Sequence, residues 1–273
     1  MHSIETGIFF GRIPYTKVGS GLNPILVING GQGFMMMPDT ARISKDARRL
    51  TSVLPQGRSF ILLGYDPDAA KVTVDGLAAD VSNIIDQHLG GTADVVGLSY
   101  GGVVASRVAM RSPQHIDKLA LMASAPWFSE EGKQRLLRQI ELIDAGDLIK
   151  LLREFTSMCR SPWLNVVVDL RVRLSGSRMA QRLGRVEVIR RYLAAMLDSE
   201  PSLDFSAFRT PTVIVGGSRD QFFADAMVEV RVRGPGIKTA IFEGETHMVP
   251  IERARAVKQI VSDFLAPADQ HHT

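Results

Sequence analysis

Short apolar runs alternate along most of the chain with segments whose apolar residues recur at helical spacing. This alternation is typical of a largely parallel sheet that is covered by helices on both faces. Residues 24–29 (PILVIN), for example, form a continuous apolar run, as expected of a strand that is buried on both sides. The pattern predicts strands at residues 7–13, 14–18, 24–29, 58–63, 93–98, 116–123, 211–215 and 238–242. It predicts helices at residues 39–54, 73–89, 100–111, 222–233 and 250–265.

The alternation breaks between residues 127 and 208, where the pattern is helical and contains no strand-turn-helix unit. The one β-branched run of this segment, residues 166–168, lies inside a longer amphipathic pattern. An unstructured loop of about eighty residues is improbable in a compact domain, so we expect a helical cap. The chain therefore divides into a core of residues 1–126 and 209–273 and a cap of residues 127–208.

A serine flanked by glycines marks the junction between a predicted strand and a predicted helix. The sequence there is Gly97-Leu98-Ser99-Tyr100-Gly101. Glycines on both sides would let the strand and the helix approach closely, and a strained turn would lift the Ser99 hydroxyl above the sheet. The start of the following helix adds N–H donors and a positive field. This context favours a nucleophile over an incidental serine in a glycine-rich turn.

A serine hydroxyl needs a general base before it can act as a nucleophile, and one histidine is placed to serve. His247 follows the last predicted strand, in a loop at the carboxyl edge of the sheet, where Ser99 also lies. The other histidines lie near the chain ends, at the end of a helix or on the far side of the sheet: His2, His88, His115, His271 and His272.

A carboxylate that orients the imidazole is expected at the same edge. Asp220 follows the strand predicted at residues 211–215, whereas the nearest competitor, Asp225, falls inside the next helix. Capping that helix is the alternative role for Asp220. The order Ser99, Asp220, His247 is that of the nucleophile-elbow hydrolases.

Two backbone N–H groups are expected to bind the oxyanion that forms during acyl transfer. One is the N–H of Tyr100, and the other comes from the glycine-rich loop after the strand at 24–29, with Gly31 the first choice and Gln32 the second. A merely flexible turn is the alternative for this loop.

A substrate pocket is expected between the core edge and the cap. Candidate lining residues lie in the glycine-rich loop, directly after it or in the cap: Gln32, Phe34, Met35, Trp127 and Trp163. Core packing is the alternative for these apolar side chains, and it is at least as well supported by the pattern.

Taken together, these motifs resemble the α/β-hydrolase-fold superfamily, in particular its small, cap-bearing serine hydrolases. The resemblance rests on residues 97–101, 212–220, the loop at His247, residues 29–33 and the strand sequence KLALMA at 118–123. It implies a mostly parallel eight-stranded sheet flanked by helices, with the helical cap inserted after the sixth strand. It also implies ester hydrolysis through an acyl-enzyme. The family usually has His-Gly where this chain has Asn29-Gly30.

The same scaffold also hosts C–C bond hydrolases and cofactor-free lyases, in which Ser99 and His247 would mainly transfer protons. An acidic dicarbonyl substrate would then need a cation, and Arg190 or Arg191 of the arginine-rich stretch 171–191 is the candidate. A solvated helix face is the alternative for that stretch. A non-catalytic ligand receptor is a third hypothesis, but a receptor has no need of an activated serine.

Composition narrows the remaining classes of function. The chain has 273 residues, and 32 basic against 29 acidic residues give a formal charge of +3, which is too mild to predict nucleic-acid binding. No apolar run reaches the length of about 18 residues that a membrane span needs, and residues 1–5 have no secretory pattern, so a cytoplasmic location is expected. The single cysteine, Cys159, excludes an internal disulfide, and no metal or other cofactor is expected. The expected partner is a small-molecule substrate, and the sequence leaves a homodimer open.

Overall fold

Eight strands form one sheet in the computed structural model, which describes residues 3–156, 158–199, 208–233 and 236–267. They are β1 (Ile4–Phe9), β2 (Ile13–Val18), β3 (Ile25–Ile28), β4 (Phe60–Leu63), β5 (Ala93–Leu98), β6 (Ile116–Met122), β7 (Thr212–Gly217) and β8 (Ile237–Phe242). Their order across the sheet is β1-β2-β4-β3-β5-β6-β7-β8. The pairs β1–β2 and β2–β4 are antiparallel, and the other neighbouring pairs are parallel. The eight-stranded, mostly parallel sheet that the sequence predicts is confirmed.

Helices flank the sheet and also form much of the described part of the stretch between β6 and β7. The helices outside that stretch are α1 (Gln32–Met35), α2 (Thr40–Leu50), α3 (Val74–His88), α4 (Tyr100–Arg111), α9 (Ala224–Arg233), α10 (Val249–Glu252) and α11 (Ala254–Leu265). Four more, which we call the inserted helices, are α5 (Glu130–Asp144), α6 (Leu148–Arg153), α7 (Pro162–Ala180) and α8 (Val186–Leu197). The β-branched residues 166–168 lie within α7, as the helical pattern predicts.

The buried side chains of the sheet form two clusters, one on each face. In β3, Leu26 and Ile28 belong to the cluster shared with α3, α4 and the inserted helices, whereas Ile25 and Val27 belong to the cluster shared with α2 and α11. All four are at most 2% exposed. Burial on both faces explains why the strand reads as a continuous apolar run rather than an alternating one.

Several boundaries differ from the predicted ones, each for a local reason. The first hairpin turns at residues 10–12 and not near 13–14, because Phe10 and Gly11 both adopt positive φ angles of 52° and 70°. The helix predicted at 39–54 ends at Leu50, and the last one is interrupted at Arg253, whose φ of −122° leaves the helical range. The expectation that the tail 268–273 is frayed lies outside the described residues. No helix of the described ranges combines the length and apolarity that crossing a membrane requires.

Candidate active site

Ser99 occupies the turn between β5 and α4 with a strained backbone. Its φ of 50° and ψ of −121° lie in a region that non-glycine residues rarely adopt. Hydrogen bonds hold this conformation, because the Ser99 N–H donates to the Met122 carbonyl at 3.0 Å and the Gly102 N–H donates to the Ser99 carbonyl at 2.9 Å. The strained turn predicted from the sequence is therefore present.

The glycines on both sides of Ser99 are required by close backbone contacts. A Cβ atom at Gly97 would clash with the backbone of Gly102, and a Cβ atom at Gly101 would clash with the carbonyl of Ile28. Only glycine allows α4 to pack this tightly against β3 and β5. The tight packing fixes where the Ser99 side chain points relative to the sheet edge.

A chain of hydrogen bonds joins Ser99, His247 and Asp220. The Ser99 Oγ atom lies 2.9 Å from Nε2 of His247. The other ring nitrogen, Nδ1, lies 2.9 and 3.1 Å from the two carboxylate oxygens of Asp220. These three side chains come from the turns after β5, β7 and β8, which all end at one edge of the sheet.

Asp220 also has the capping role that the sequence left as an alternative. Its Oδ1 atom accepts hydrogen bonds from the backbone N–H groups of Phe222 and Phe223, at 2.9 and 3.1 Å. The same carboxylate therefore closes the turn before α9 and binds His247. Asp220 is 2% exposed, and the rings of Phe222 and Phe223 lie 5.0 and 6.0 Å from the imidazole of His247. The hydrogen bonds between Asp220 and His247 thus lie in largely apolar surroundings, where electrostatic interactions are weakly screened.

The glycine-rich loop after β3 lies directly against the turn that holds Ser99. A Cβ atom at Gly30 would lie 3.2 Å from Cβ of Ser99, and one at Gly31 would lie 3.0 Å from the ring of Tyr100. Asn29 shapes the start of this loop, because its side-chain oxygen accepts a hydrogen bond from the Gly30 N–H at 2.8 Å. Within the described residues, the N–H groups of Gly31 and Tyr100 make no hydrogen bond to protein. Neither N–H group is therefore committed to another described residue.

The comparisons with known proteins agree with this architecture. Residues 25–260 match the family model described as the alpha/beta hydrolase family. The chain belongs to the alpha/beta hydrolase family. Its fold is similar to that of MGS-M2, an alpha/beta hydrolase enzyme from a Medee basin deep-sea metagenome library, with a TM-score of 0.75 at 15% identity over 98% of this chain and 99% of that one.

Two curated relatives of this alpha/beta hydrolase carry names from different reaction classes. A Bacillus subtilis (strain 168) protein named as a 2-succinyl-6-hydroxy-2,4-cyclohexadiene-1-carboxylate synthase is 25% identical over 200 residues, or 68% of this chain and 70% of that protein. The monoacylglycerol lipase abhd6-B of Xenopus laevis is 28% identical over 184 residues, or 63% of this chain and 54% of that protein.

The side chains that the sequence suggests for a pocket are dispersed in the structure. Phe34, Met35 and Trp127 are buried in the core, in line with the alternative that the pattern left open. Phe34 stacks on Tyr192 of α8 with ring centres 5.0 Å apart. Trp163 is 69% exposed at the start of α7, and Gln32 is exposed in the first turn of α1.

Most of the arginine-rich stretch 171–191 faces solvent or binds nearby carboxylates. The guanidinium of Arg190 binds both carboxylate oxygens of Asp144, at 2.6 and 2.9 Å. Arg191 donates to the carbonyl of Ala69 at 2.9 Å. Over the described ranges, no three His, Cys, Asp or Glu side chains are grouped as metal ligands.

A cavity of about 510 Å³ lies on the α3 and α4 side of the sheet, and Ser99 is not among its lining residues. Its wall is mainly apolar and includes Ile28, Leu63 and Val104. Tyr65 separates this cavity from the glycine-rich loop and donates its hydroxyl hydrogen to the Asn29 carbonyl at 2.6 Å. Burial raises the pKa of Tyr65, so its phenol stays neutral and remains a donor.

Sequence reasoning missed Ser124, whose side chain helps to hold the strained backbone at Ser99. This buried side chain follows β6 and donates to the Ser99 carbonyl at 2.6 Å. The residue before it, Ala123, has a φ of 44°, and the chain turns there toward the turn that holds Ser99. A small polar residue after a buried strand is the only signal in the sequence, and it does not reveal the partner.

We expect Ser124→Ala to lower the free energy of unfolding by about 1–2 kcal/mol, because the buried carbonyl of Ser99 loses one of its donors. Turnover should fall by less than about tenfold, since the Gly102 N–H still holds the turn. Urea unfolding measures the first effect and ester hydrolysis the second. Ser106→Ala is the matched control, since that buried hydroxyl only donates to the Gly102 carbonyl within α4 and its loss should be nearly neutral. Equal stability losses in both variants would contradict the assignment.

A buried carboxylate links the loop of His247 to the segment just before α7. Glu245 is 1% exposed and binds Arg160, which precedes α7, at 2.8 Å and Arg253, before α11, at 2.7 Å. Burial of the Glu245 carboxylate raises its pKa, but the hydrogen bonds from Arg253 and Arg160 outweigh burial, and the pKa lies below its ordinary value of 4.5. The charged form of Glu245 therefore stabilises the folded chain.

We expect Glu245→Gln to lower the free energy of unfolding by about 1–2 kcal/mol at neutral pH. The loss is modest because both arginines are partly exposed, so solvent screens their attraction to the carboxylate. A lowered pKa in the folded state stabilises the protein above pH 4.5, and this contribution is lost as the pH falls further. The difference in the free energy of unfolding between wild type and variant should therefore disappear as the pH falls below 4.5. Denaturant unfolding from pH 7 to about pH 3 measures this difference. A gap that is constant over this range would contradict the role of the charge.

Proposed function

We propose that this alpha/beta hydrolase cleaves carboxylic esters or related acyl compounds through a covalent acyl-enzyme on Ser99. The observation that carries the proposal is the continuous hydrogen-bonded path from the Ser99 hydroxyl through His247 to Asp220. Such a path serves to remove the serine proton when the hydroxyl attacks a carbonyl carbon. The name of the Xenopus relative, a lipase, agrees with an ester substrate.

In the acylation step, Nε2 of His247 takes the proton of Ser99 while Oγ forms a bond to the carbonyl carbon. Asp220 accepts a hydrogen bond from Nδ1, keeps the imidazole in the required tautomer and stabilises the imidazolium. His247 then gives the proton to the leaving alcohol as the carbon–oxygen bond breaks. Water then attacks the acyl carbon while the same imidazole takes its proton, and that proton passes to Oγ of Ser99 as the acyl–oxygen bond breaks and the acid leaves.

The negative charge on the carbonyl oxygen is stabilised by the N–H groups of Tyr100 and Gly31. Both belong to rigid elements packed at Ser99, so they need no rearrangement during the reaction. Each such donor lowers the barrier by about 3–4 kcal/mol. The side chain of Tyr100 does not take part in binding the oxyanion. Burial raises the pKa of its phenol, so the phenol stays neutral and donates a hydrogen bond to Gln139.

Residues 127–208 act as a cap over a core of residues 1–126 and 209–273. This assignment is supported by contacts before α7, where the Met158 carbonyl accepts from the Thr246 hydroxyl at 2.6 Å and Arg160 binds Glu245. These contacts join the inserted stretch to the two residues that immediately precede His247. The substrate then enters between this stretch and the carboxyl edge of the sheet.

Ester hydrolysis with a pre-steady-state burst tests the proposal. With p-nitrophenyl esters from acetate to decanoate, we expect a burst of p-nitrophenol close to one equivalent per chain, followed by slower turnover. Ser99→Ala should abolish the burst. No burst and no turnover with any chain length would overturn the ester assignment.

Cleavage of a C–C bond or a lyase reaction is the second candidate, because the Bacillus relative is named as a synthase. This reading requires a cation for an acidic substrate, but the Arg190 guanidinium is held by Asp144 at 2.6 Å. Arg190→Ala with Arg191→Ala separates the two functions. Simple esters should be cleaved at an unchanged rate, whereas an acidic dicarbonyl substrate should lose most of its turnover if the second candidate holds.

A further inference from the structure

One side of α7 exposes a continuous row of large apolar side chains. Trp163, Val167, Leu170 and Leu174 are 69%, 40%, 54% and 79% exposed. Their spacing repeats at helical period, so they share one face, which we call the outer face of α7. Exposed apolar side chains that cluster in this way mark an interaction site.

The opposite side of α7 accounts for the packing of the helix. Val172 is buried, and a Cβ atom at Gly176 would meet the side chain of Ile149 from α6 at 3.2 Å. Asp169 binds Arg153 at 2.7 Å, and Asn165 donates to the Cys159 carbonyl at 2.9 Å. The helix is thus already anchored, and the outer face is not needed for folding.

Cations are interleaved with the apolar side chains on the outer face. Arg171 and Arg178 are exposed and lie on the same side of α7 as Leu170 and Leu174. Among the described residues, no carboxylate lies within ion-pair distance of either guanidinium. The one acidic residue of α7, Asp169, points inward and is bound to Arg153 and Arg173. In the described part of the chain, the outer face therefore combines apolar side chains with two arginines that have no carboxylate partner.

We propose that the outer face of α7 docks on a lipid bilayer that contains anionic lipids. Trp163, Leu170 and Leu174 would enter the boundary between headgroups and acyl chains, and Arg171 and Arg178 would bind lipid phosphates. A second copy of the chain fits this face less well. Packing two outer faces together would bring arginines against arginines, with no carboxylate of α7 to pair them.

The start of α7 lies close to the short helix α10 that follows the loop of His247. The chain just before α7 is fixed to that helix, since the Arg160 N–H donates to the Glu252 carboxylate at 3.1 Å. Ile251, in the same short helix as Glu252, is 70% exposed. A bilayer under α7 would thus lie beside the proposed active site. The inference goes beyond the proposed function, because binding to vesicles requires no catalysis and Ser99→Ala should retain it.

Sedimentation with lipid vesicles tests the proposal. Wild type should bind vesicles of phosphatidylcholine with about 30 mol % phosphatidylglycerol at least about tenfold more tightly than vesicles of phosphatidylcholine alone, and added salt should weaken binding. Emission from Trp163 should shift to shorter wavelength on binding, and Trp163→Phe should lose this shift. Both Leu170→Ser with Leu174→Ser and Arg171→Glu with Arg178→Glu should weaken binding by at least about tenfold.

Matched variants elsewhere on the surface control for general loss of apolarity and charge. Val228→Ser with Val232→Ser removes two exposed apolar side chains of α9, and Arg48→Glu with Arg255→Glu makes the same change in net charge. Both should bind like wild type. The proposal is overturned if wild type does not bind the anionic vesicles, or if the controls lose as much affinity as the α7 variants. It is also overturned if sedimentation equilibrium shows a dimer that Leu170→Ser with Leu174→Ser dissociates while vesicle binding is unchanged.

Discussion

Ser99→Ala should lower kcat for ester hydrolysis by at least about 10⁴-fold, the largest effect of any single substitution considered for this chain. The variant retains the proposed oxyanion donors but lacks the hydroxyl that we propose attacks the carbonyl carbon. The hydroxyl is 2.9 Å from the imidazole nitrogen that would take its proton, and alanine leaves that nitrogen without a reacting partner. Steady-state kinetics on the best p-nitrophenyl ester measures the loss.

Two controls separate the loss of the hydroxyl from a general loss of structure. Alanine at position 99 can still make both backbone hydrogen bonds that hold the turn between β5 and α4. Thermal unfolding should therefore show that the variant is folded. Ser177→Ala, on the exposed surface of α7, is the matched control and should keep the wild-type rate. Activity of Ser99→Ala within about tenfold of wild type would mean that another group performs the reaction.

Asp220→Asn should lower kcat by about 10⁴-fold, although the substitution is nearly isosteric. The side-chain oxygen of asparagine can still accept from the N–H groups of Phe222 and Phe223, so the turn before α9 should persist. The side-chain NH₂, however, would donate to Nδ1 of His247 and move the ring proton to Nε2. A protonated Nε2 cannot accept the proton of Ser99, so the imidazole would hold the wrong tautomer.

Comparison with Asp225→Asn separates this effect from a general loss of charge. Asp225 is the nearest acid along the chain and lies in the first turn of α9, so its substitution should change kcat by less than about threefold. A similar loss in both variants, or a fully active Asp220→Asn, would remove Asp220 from the proposed mechanism. The two variants are best compared on thermal unfolding as well as kinetics.

The position of Ser99, Asp220 and His247 is predictable because each follows a recognisable strand. Parallel strands bring their carboxyl ends to one edge, so three distant turns converge without any knowledge of the packing. The double role of Asp220 illustrates why a sequence alone leaves two readings open. A short acidic residue before a helix is equally suited to capping and to binding an imidazole, and here one oxygen contacts both sets of donors.

Side chains that act through contacts are harder to predict. Ser124 and Glu245 carry no motif, and their importance comes from the carbonyl of Ser99 and the guanidinium of Arg160, which are distant in sequence. The apolar pattern identifies Phe34 and Trp163 as large hydrophobic residues but does not say what covers them. The first is buried under Tyr192 and the second is exposed on α7. Periodicity reports the local preference for burial, whereas the final environment depends on tertiary packing.

Intact-protein mass spectrometry after treatment with a fluorophosphonate ester tests the central claim most directly. The reagent should add one phosphonyl group per chain, peptide mapping should locate it on Ser99, and Ser99→Ala and His247→Ala should not react at a comparable rate. Labelling should also stop when the protein is unfolded, because the hydroxyl is activated only when His247 lies against it. No adduct on folded wild type, or an adduct on another residue that survives in Ser99→Ala, would contradict the account.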